Sequence, residues 1–238
     1  MSKMPYVTDL ANVRRFNEGI GSLATKTGGN ANFCLLSGPV GLGKTEAIIQ
    51  RSSRDGHPLI RAKRAWNIRW MLSELSEALG LAPAYRTQDL YVQVRDRLIA
   101  QKPVVYIDEL DHVISNKDLI ETLRDLSDET GAKIVLIGME GVRSRIAKYP
   151  VLDSRISVFI EFTELSEADV ATVIQEALPP RTDEEHERDA LRLAAKLTGG
   201  NFRRLADLID KLDVQMRMGK MGHITLSLVR EVANLKGL

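Results

Sequence analysis

The stretch that decides the fold of this 238-residue chain is Gly38-Pro39-Val40-Gly41-Leu42-Gly43-Lys44-Thr45. It matches the pattern G-x-x-x-x-G-K-[ST], in which glycines let backbone N–H groups turn inward around phosphates without Cβ clashes. Lys44 is expected to reach the β- and γ-phosphates, and the Thr45 hydroxyl is expected to bind Mg²⁺. The turn therefore predicts a site for ATP and Mg²⁺.

The residues on either side of this turn supply the context that phosphate binding needs. An apolar run over 32–37 precedes the turn and predicts a buried strand, and the segment 45–54 has a helical pattern. The positive end of that helix would point at the phosphates. A chance glycine-rich loop, which is the alternative, has no need of this strand–turn–helix order.

A second apolar run ends in two carboxylates, Val104-Val105-Tyr106-Ile107-Asp108-Glu109. Ligands of open α/β sheets bind at the carboxyl ends of the strands, so Asp108 is predicted to hold Mg²⁺, directly or through water. Glu109 is predicted to orient and polarise the attacking water. We interpret Asp111 as a helix-start or surface residue rather than a second base. The alternative for the whole run is an acidic strand exit without catalytic function.

Strand and helix patterns alternate along the chain as far as Phe162. This alternation predicts an α/β fold, with a parallel sheet of about five strands covered by helices. The predicted strands are 32–37, 58–62, 103–107, 133–137 and 157–162.

Beyond Phe162 the pattern becomes all-helical, and Ser166 with Asp169 resembles the capping box of a helix start. We therefore expect a small helical lid domain at the C-terminal end. The predicted organisation is an N-terminal segment and helix over 1–30, a P-loop ATPase α/β domain over 31–163 and the lid over 164–238.

The composition limits the classes of function. Apolar residues make up 44% of the chain, which is enough for a sizeable core. The net charge of +1 gives no general affinity for nucleic acid, so any basic surface has to be local. Cys34 is the single cysteine and cannot form an internal disulfide. No membrane span or signal peptide is predicted, and a cytoplasmic protein is expected.

These motifs resemble those of AAA+ ATPases and, more narrowly, those of the phage Mu B transposition protein family and related transposon ATPases. The similarity extends roughly over residues 5–215. It implies an ATPase that binds double-stranded DNA without sequence preference and forms a ring or helical filament of identical subunits with ATP. It also implies a transposase or other protein partner. The narrower resemblance is carried by Gly43-Lys44-Thr45-Glu46-Ala47, Ile107-Asp108-Glu109-Leu110-Asp111-His112 and Ser154-Arg155-Ile156.

The same resemblance implies an arginine that completes the site of a neighbouring subunit. Arg155 is our choice for this finger in trans, because a guanidinium suits the charge that develops on the γ-phosphoryl group. Arg143 and Arg145 are rival candidates, and a surface arginine is the alternative. Met139 stands where relatives place a polar residue that senses the γ-phosphate, and Glu140 is a possible substitute.

Two further site assignments follow from the resemblance. The run Gly199–Leu205 resembles the start of the "sensor 2" helix, which would place Arg203 at the γ-phosphate, with Arg204 as the alternate. The segment around Val7, Thr8 and Asn12 would pass the adenine, although a plain amphipathic helix fits it equally well.

The most basic stretch of the chain, residues 61–70, contains two tryptophans. Lys63, Arg64 and Arg69 are predicted to follow a DNA backbone, because cationic side chains neutralise phosphates. On a helical wheel Trp66 and Trp70 lie opposite the apolar residues of this helix, so they are not expected to belong to the same core face as Ile68, Met71, Leu72, Leu75 and Leu79. The alternative is that the tryptophans pack on a neighbouring subunit or on the N-terminal helix, while the basic residues are solvated.

The function predicted first is an ATP-dependent DNA-binding ATPase that oligomerises on DNA and selects target DNA or activates a transposase. A nucleotide-switched protein adaptor that binds no DNA is the alternative from another class. A replication-initiator or helicase-loader ATPase shares the same core and differs in its partner.

Overall fold

The structure is a computed structural model that describes residues 10–26, 31–178, 184–219 and 223–234. Within these ranges it contains one five-stranded sheet in the order β2-β3-β4-β1-β5, in which every neighbouring pair is parallel. The five predicted strands all form, each within one residue of its predicted limits. They are β1 (Phe33–Ser37), β2 (Leu59–Arg61), β3 (Val104–Asp108), β4 (Lys133–Ile137) and β5 (Ile156–Glu161).

Helices connect the strands and continue after the last of them. Among the described residues none of these helices has the length and apolarity needed to span a bilayer. They are α1 (Ala11–Thr25), α2 (Lys44–Asp55), α3 (Ile68–Ala78), α4 (Thr87–Gln101), α5 (Lys117–Thr130), α6 (Val142–Ile146), α7 (Pro150–Asp153), α8 (Glu167–Ala177), α9 (Glu184–Thr198), α10 (Phe202–Gly219) and α11 (Leu226–Asn234).

The described chain forms two compact units, each with its own apolar core. The α/β unit is made of the described residues within Arg15–Val40 and Lys44–Phe162. The helical unit takes those up to Arg14, Gly41–Gly43 and those from Thr163 onward. The predicted fold class, a parallel α/β P-loop sheet followed by a helical region, is confirmed.

The central strands are buried because their sequences are apolar on both faces. Every residue of β3 is buried, as central parallel strands require. Cys34 of β1 is fully buried, and this burial raises the pKa of its thiol to about 12. At the edge of the sheet, β5 leaves Phe159 exposed. The carboxyl ends of β1, β3 and β4 lie at one edge of the sheet, which positions the loops that follow them as neighbours.

The helical unit is built from α8 to α11, and its helix starts follow local capping rules. The Ser166 hydroxyl accepts a hydrogen bond from the Asp169 amide, and the Asp169 carboxylate accepts one from the Ser166 amide. This confirms the predicted capping box. At the start of α10, the side-chain oxygen of Asn201 accepts from the amides of Arg203 and Arg204.

Candidate functional site

The turn after β1 adopts backbone conformations that favour glycine. Gly38 has a φ of +143°, and a Cβ atom there would lie 2.4 Å from the Phe162 carbonyl oxygen. Gly43 has a φ of +83°. Helix α2 begins at Lys44 directly after this turn, so its first N–H groups have no partner inside the helix. An open helix start joined to a tight glycine turn is suited to binding phosphate groups.

The Lys44 side chain folds back over the turn. Its Nζ donates to the carbonyl oxygens of Gly38 at 2.6 Å and Pro39 at 2.7 Å. Burial lowers the pKa of Lys44, while the negative charges of Asp108 and Asp111 act in the opposite direction. Neutral carbonyl groups therefore hold the ammonium at the turn, and an anionic oxygen would be a stronger partner for it.

Thr45 and Asp108 meet across the sheet edge. The Thr45 hydroxyl donates to Asp108 Oδ2 at 3.1 Å, and the Glu109 amide donates to Asp108 Oδ1 at 2.9 Å. Asp108 is only 4% exposed. A hydroxyl and one carboxylate are hard oxygen ligands of the kind that hold Mg²⁺ together with water and phosphate oxygens. The residues present therefore fit a magnesium ion that arrives with a nucleotide.

Glu109 sits in a constrained backbone position. Its φ of 59° and ψ of 39° place it in the left-handed region, which a non-glycine residue rarely occupies and which costs on the order of 1–3 kcal/mol. Its carboxylate is partly exposed and lies 3.5 Å from Nε2 of His112. Glu109 follows Asp108 directly in the chain, and its action on a water molecule stays a prediction.

Asp111 lies at the start of a short helix, as one part of our interpretation predicted, and is not the surface residue of the other part. It lies in a single 3-10 turn, Leu110–His112, and its carboxylate is mostly buried. It accepts hydrogen bonds from the Met139 amide at 2.6 Å and from Arg145 Nη1 at 2.7 Å. A Cβ atom on Gly138 would lie 2.9 Å from Asp111 Oδ2. Asp111 therefore fastens the loop after β4 to the loop after β3.

Arg155 lies at the amino-terminal end of the strands, whereas the Thr45–Asp108 pair lies at their carboxyl end. It precedes β5, and its carbonyl accepts from the Phe33 amide at the start of β1. Its guanidinium donates to both oxygens of Asp128 at 2.6 to 3.0 Å and to the Val151 carbonyl at 2.7 Å. These partners lie within its own subunit, and a role in the site of a neighbouring subunit stays a prediction.

The rival arginines lie on α6. Arg145 is bonded to Asp111, and the Arg143 guanidinium carbon lies 4.0 Å from the ring centroid of Phe159. Met139, at the position where a polar sensor residue is expected, is 45% exposed.

Arg203 lies in the first turn of α10, within the helical unit. That unit also contains Gly41, whose carbonyl accepts a hydrogen bond from the Arg203 amide at 2.9 Å. A Cβ atom on Gly41 would lie 2.6 Å from the side-chain oxygen of Asn201. Both of these contacts lie within the helical unit. The role of its guanidinium stays a prediction.

The basic segment, defined here as residues 61–70, is only partly as predicted. Trp66 is buried in the same apolar core of the α/β unit as Met71 and Leu72, so the prediction that it does not share their core face was wrong. Helix α3 begins only at Ile68, and the helical wheel therefore did not apply to Trp66. Trp70 is 41% exposed, as expected.

The three predicted DNA contacts in this segment are all exposed. Lys63 forms an ion pair with Glu74, and its Nζ lies 5.2 Å from the Trp70 ring centroid. The Arg69 guanidinium lies 5.7 Å from the ring centroid of Tyr85, which is also exposed. The segment therefore presents cations beside aromatic rings to solvent.

Only one of the three residues predicted to pass the adenine lies within the described part of the chain. Val7 and Thr8 lie outside the described residues. Asn12 is buried, and its side-chain amide bonds both the carbonyl and the N–H of Thr163, at 2.7 and 3.1 Å. This pairing gives Asn12 a structural role in the helical unit, and contact with an adenine stays a prediction.

The sequence interpretation missed two residues next to the carboxylates. Arg61 pairs with Asp108 in the β2–β3 register, and its Nη2 lies 3.6 Å from Asp108 Oδ2. His112 contacts both Glu109 and the carbonyl of Ala62. The sequence alone carried no signal for Arg61, because a cation that ends β2 faces the carboxylate that ends β3 only once the two strands are neighbours.

Comparison with known families identifies the class of protein. Residues 26–146 match the family model described as "AAA domain". The chain therefore belongs to the AAA domain family and carries a P-loop ATPase domain.

Individual relatives are more distant. A "Potential ATP-binding protein" of Staphylococcus aureus is 26% identical over 131 residues, which cover 53% of this chain and 48% of that protein. The chain thus matches about half the length of this relative.

Solved structures show the same fold. The Aeropyrum pernix ORC1 protein in complex with DNA has a TM-score of 0.64 at 19% identity, covering 94% of this chain and 64% of that one. Cdc6p from Pyrobaculum aerophilum has a TM-score of 0.70 at 14% identity, covering 98% and 69%. At these identities the likeness concerns the fold alone.

Proposed function

We propose that this chain is an ATP-dependent, non-sequence-specific DNA-binding AAA+ ATPase that oligomerises on DNA and selects target DNA or activates a transposase. One observation carries the ATPase part. Lys44 and the Thr45–Asp108 pair lie beside Glu109 at the carboxyl edge of the sheet. The transposition part rests on the resemblance to the Mu B family, and a cytoplasmic location is part of the same proposal.

Each residue has a defined task in this proposal. Lys44 exchanges its two carbonyl partners for phosphate oxygens, which are charged and therefore stronger acceptors. Thr45 and Asp108 would hold Mg²⁺, which would supply positive charge beside the phosphates. Glu109 orients the attacking water. Arg203, and Arg155 of a neighbouring subunit, stabilise the negative charge that develops on the γ-phosphoryl group.

Hydrolysis is proposed to be slow without a stimulus. Met139 occupies the place of a polar sensor, and a thioether cannot position water as an amide or hydroxyl does. DNA or a protein partner would supply the stimulus by completing the site.

The exposed cations of the basic segment support the DNA-binding part of the proposal. Lys63, Arg64 and Arg69 lie on one short stretch of chain, and such groups neutralise backbone phosphates whatever the base sequence. The ORC1 relative was solved in complex with DNA. A replication-initiator or helicase-loader ATPase is the second candidate, favoured by the likeness of fold to ORC1 and Cdc6p.

ATP turnover and duplex binding test this function together. Lys44→Ala should lower ATP affinity about 10- to 100-fold, the equivalent of about 1.5–3 kcal/mol for a hydrogen bond to a charged group. Glu109→Gln should keep ATP affinity and lower turnover about 10²- to 10⁴-fold. Fluorescent-nucleotide titration and phosphate release measure the two quantities, with Lys117→Ala, a change at an exposed lysine of α5, as the matched control.

Gel shifts with unrelated duplexes, in ATP and in ADP, test the DNA part. ATP-stimulated binding of every duplex supports the proposal. Binding of none of them would favour a protein adaptor, and unaltered ATP affinity in Lys44→Ala would refute the nucleotide site itself.

A further inference from the structure

Ala62, inside the basic segment, is tied by both of its backbone groups to the loop that carries the carboxylates. Its N–H donates to the Asp108 carbonyl at 2.8 Å. Its carbonyl lies 3.1 Å from Nδ1 of His112. Because a carbonyl oxygen only accepts, the Nδ1 atom of His112 carries the hydrogen. The position of the His112 ring is thus set by the backbone of the segment.

The other ring nitrogen of His112 faces the predicted catalytic carboxylate. Nε2 lies 3.5 Å from Oε2 of Glu109. One imidazole therefore spans Ala62 and Glu109, with a separate nitrogen for each. A shift of the Ala62 backbone moves the ring, and a moved ring changes the environment of the Glu109 carboxylate.

The residues directly after Ala62 are the cations that a polyanion would attract. Lys63 is paired with Glu74 and lies beside Trp70, and Arg64 is exposed. A phosphate backbone that competes with Glu74 for Lys63 would displace the chain next to Ala62. The displacement has a short route to the active carboxylate, through one peptide group and one imidazole ring.

We propose that His112 is a positioning residue that transmits occupancy of the basic segment by double-stranded DNA to Glu109. This inference rests on the proposed function, and it adds the residue through which DNA stimulates hydrolysis. His112 touches neither nucleotide nor DNA in this scheme and acts through the carboxylate of Glu109.

Three substitutions separate the two contacts of the ring. His112→Ala removes both. His112→Asn keeps a donor at the position of Nδ1 and so retains the bond to Ala62, whereas His112→Gln keeps a polar group at the position of Nε2 and retains the reach to Glu109. His223→Ala, at a partly exposed histidine of the helical unit, is the matched control.

ATP turnover is measured with and without a saturating duplex, and duplex affinity is measured by fluorescence anisotropy. In the wild type and in His223→Ala, the duplex should raise turnover several-fold. In all three His112 variants this ratio should fall to near one, while duplex affinity, the KM for ATP and the thermal midpoint stay within about twofold or a few degrees of the wild type. Restoration of the ratio in His112→Asn would reduce His112 to an anchor for Ala62 and overturn the coupling.

Tryptophan emission gives a readout that does not depend on turnover. Both tryptophans of the chain, Trp66 and Trp70, lie in the basic segment. Mg²⁺ and ATP should shift the emission of the wild type, and the shift should be lost in His112→Ala at unchanged nucleotide affinity. An equal shift in both proteins would sink the coupling. A wild type that binds no nucleotide or gains no turnover from duplex would instead sink the proposed function itself.

Discussion

At the scale of single residues, existing hydrogen bonds limit what a side chain is available to do. Arg155 is an example, because its guanidinium is already bonded within its own subunit. Its guanidinium meets both oxygens of Asp128 and a main-chain carbonyl, all within one subunit. The hydrogen bonds to Asp128 raise the pKa of the Arg155 guanidinium, which is charged at any working pH. A finger in trans would have to release these partners when a neighbouring subunit docks.

Arg155→Ala should therefore lower the free energy of unfolding by about 1.5–3 kcal/mol, because it leaves Asp128 without its charged partner. Asp128→Ala should cost a similar amount, and the double variant should cost less than the sum of the two. Urea unfolding of the four proteins measures this coupling. An unchanged midpoint in Arg155→Ala would contradict the structural role. Turnover that disappears in Arg155→Ala but persists in Asp128→Ala would instead identify a finger.

At the scale of elements, the basic segment is held at one end by the sheet and at the other by a buried aromatic. Strand β2 contributes three residues, and Ala62 continues its bonding to β3. Trp66 then enters the core and fixes the chain before α3 begins. Lys63 and Arg64 lie between these two anchors, Arg69 lies beyond them, and all three are exposed. Only a short length of chain separates them from Ala62, which suits the proposed transmission of DNA binding to Glu109.

Removal of one of these cations should weaken duplex binding about equally for all sequences. For Arg64→Ala and Arg69→Ala the slope of log affinity against log salt should decrease by about 0.9 for each phosphate that the variant no longer neutralises. Lys63→Ala removes a cation and also leaves the negative charge of Glu74 unpaired, so it should lower duplex affinity more than Arg64→Ala or Arg69→Ala does. Lys117→Ala again serves as the control, and slopes equal to that of the control in all three variants would remove the segment from the interface.

At the scale of the whole molecule, two units with separate cores share one nearly neutral chain. The net charge of the whole chain offers no general attraction to DNA, so the proposed affinity would arise from a local surface that several subunits would repeat along a duplex. Repetition raises the effective concentration of each further contact. We therefore expect binding of ATP at the nucleotide site to promote assembly of the subunits.

Light scattering after size exclusion should show a larger mass for the wild type with a non-hydrolysable ATP analogue, and larger still with duplex DNA. Lys44→Ala should keep the mass it has without nucleotide, because it binds the nucleotide too weakly. Glu109→Gln should assemble with ATP itself, because it retains ATP unhydrolysed. A mass that is identical in all conditions for the wild type would contradict the oligomer.

The sequence by itself determined the features whose causes are local. The glycine turn before Lys44, the apolar strands and the Ser166–Asp169 cap each depend on neighbours within a few residues, and all are predicted from the pattern of residue types alone. The family match over 26–146 includes the glycine turn.

Only the tertiary structure decided which distant segments meet. The register of β2 against β3 places Arg61 beside Asp108, the 3-10 turn brings His112 to Ala62, and packing of the core buries Trp66. The physical reason is that periodicity specifies which face of an element is apolar. The identity of the partner across a sheet edge depends on strand order and on loop geometry, and no local pattern encodes these.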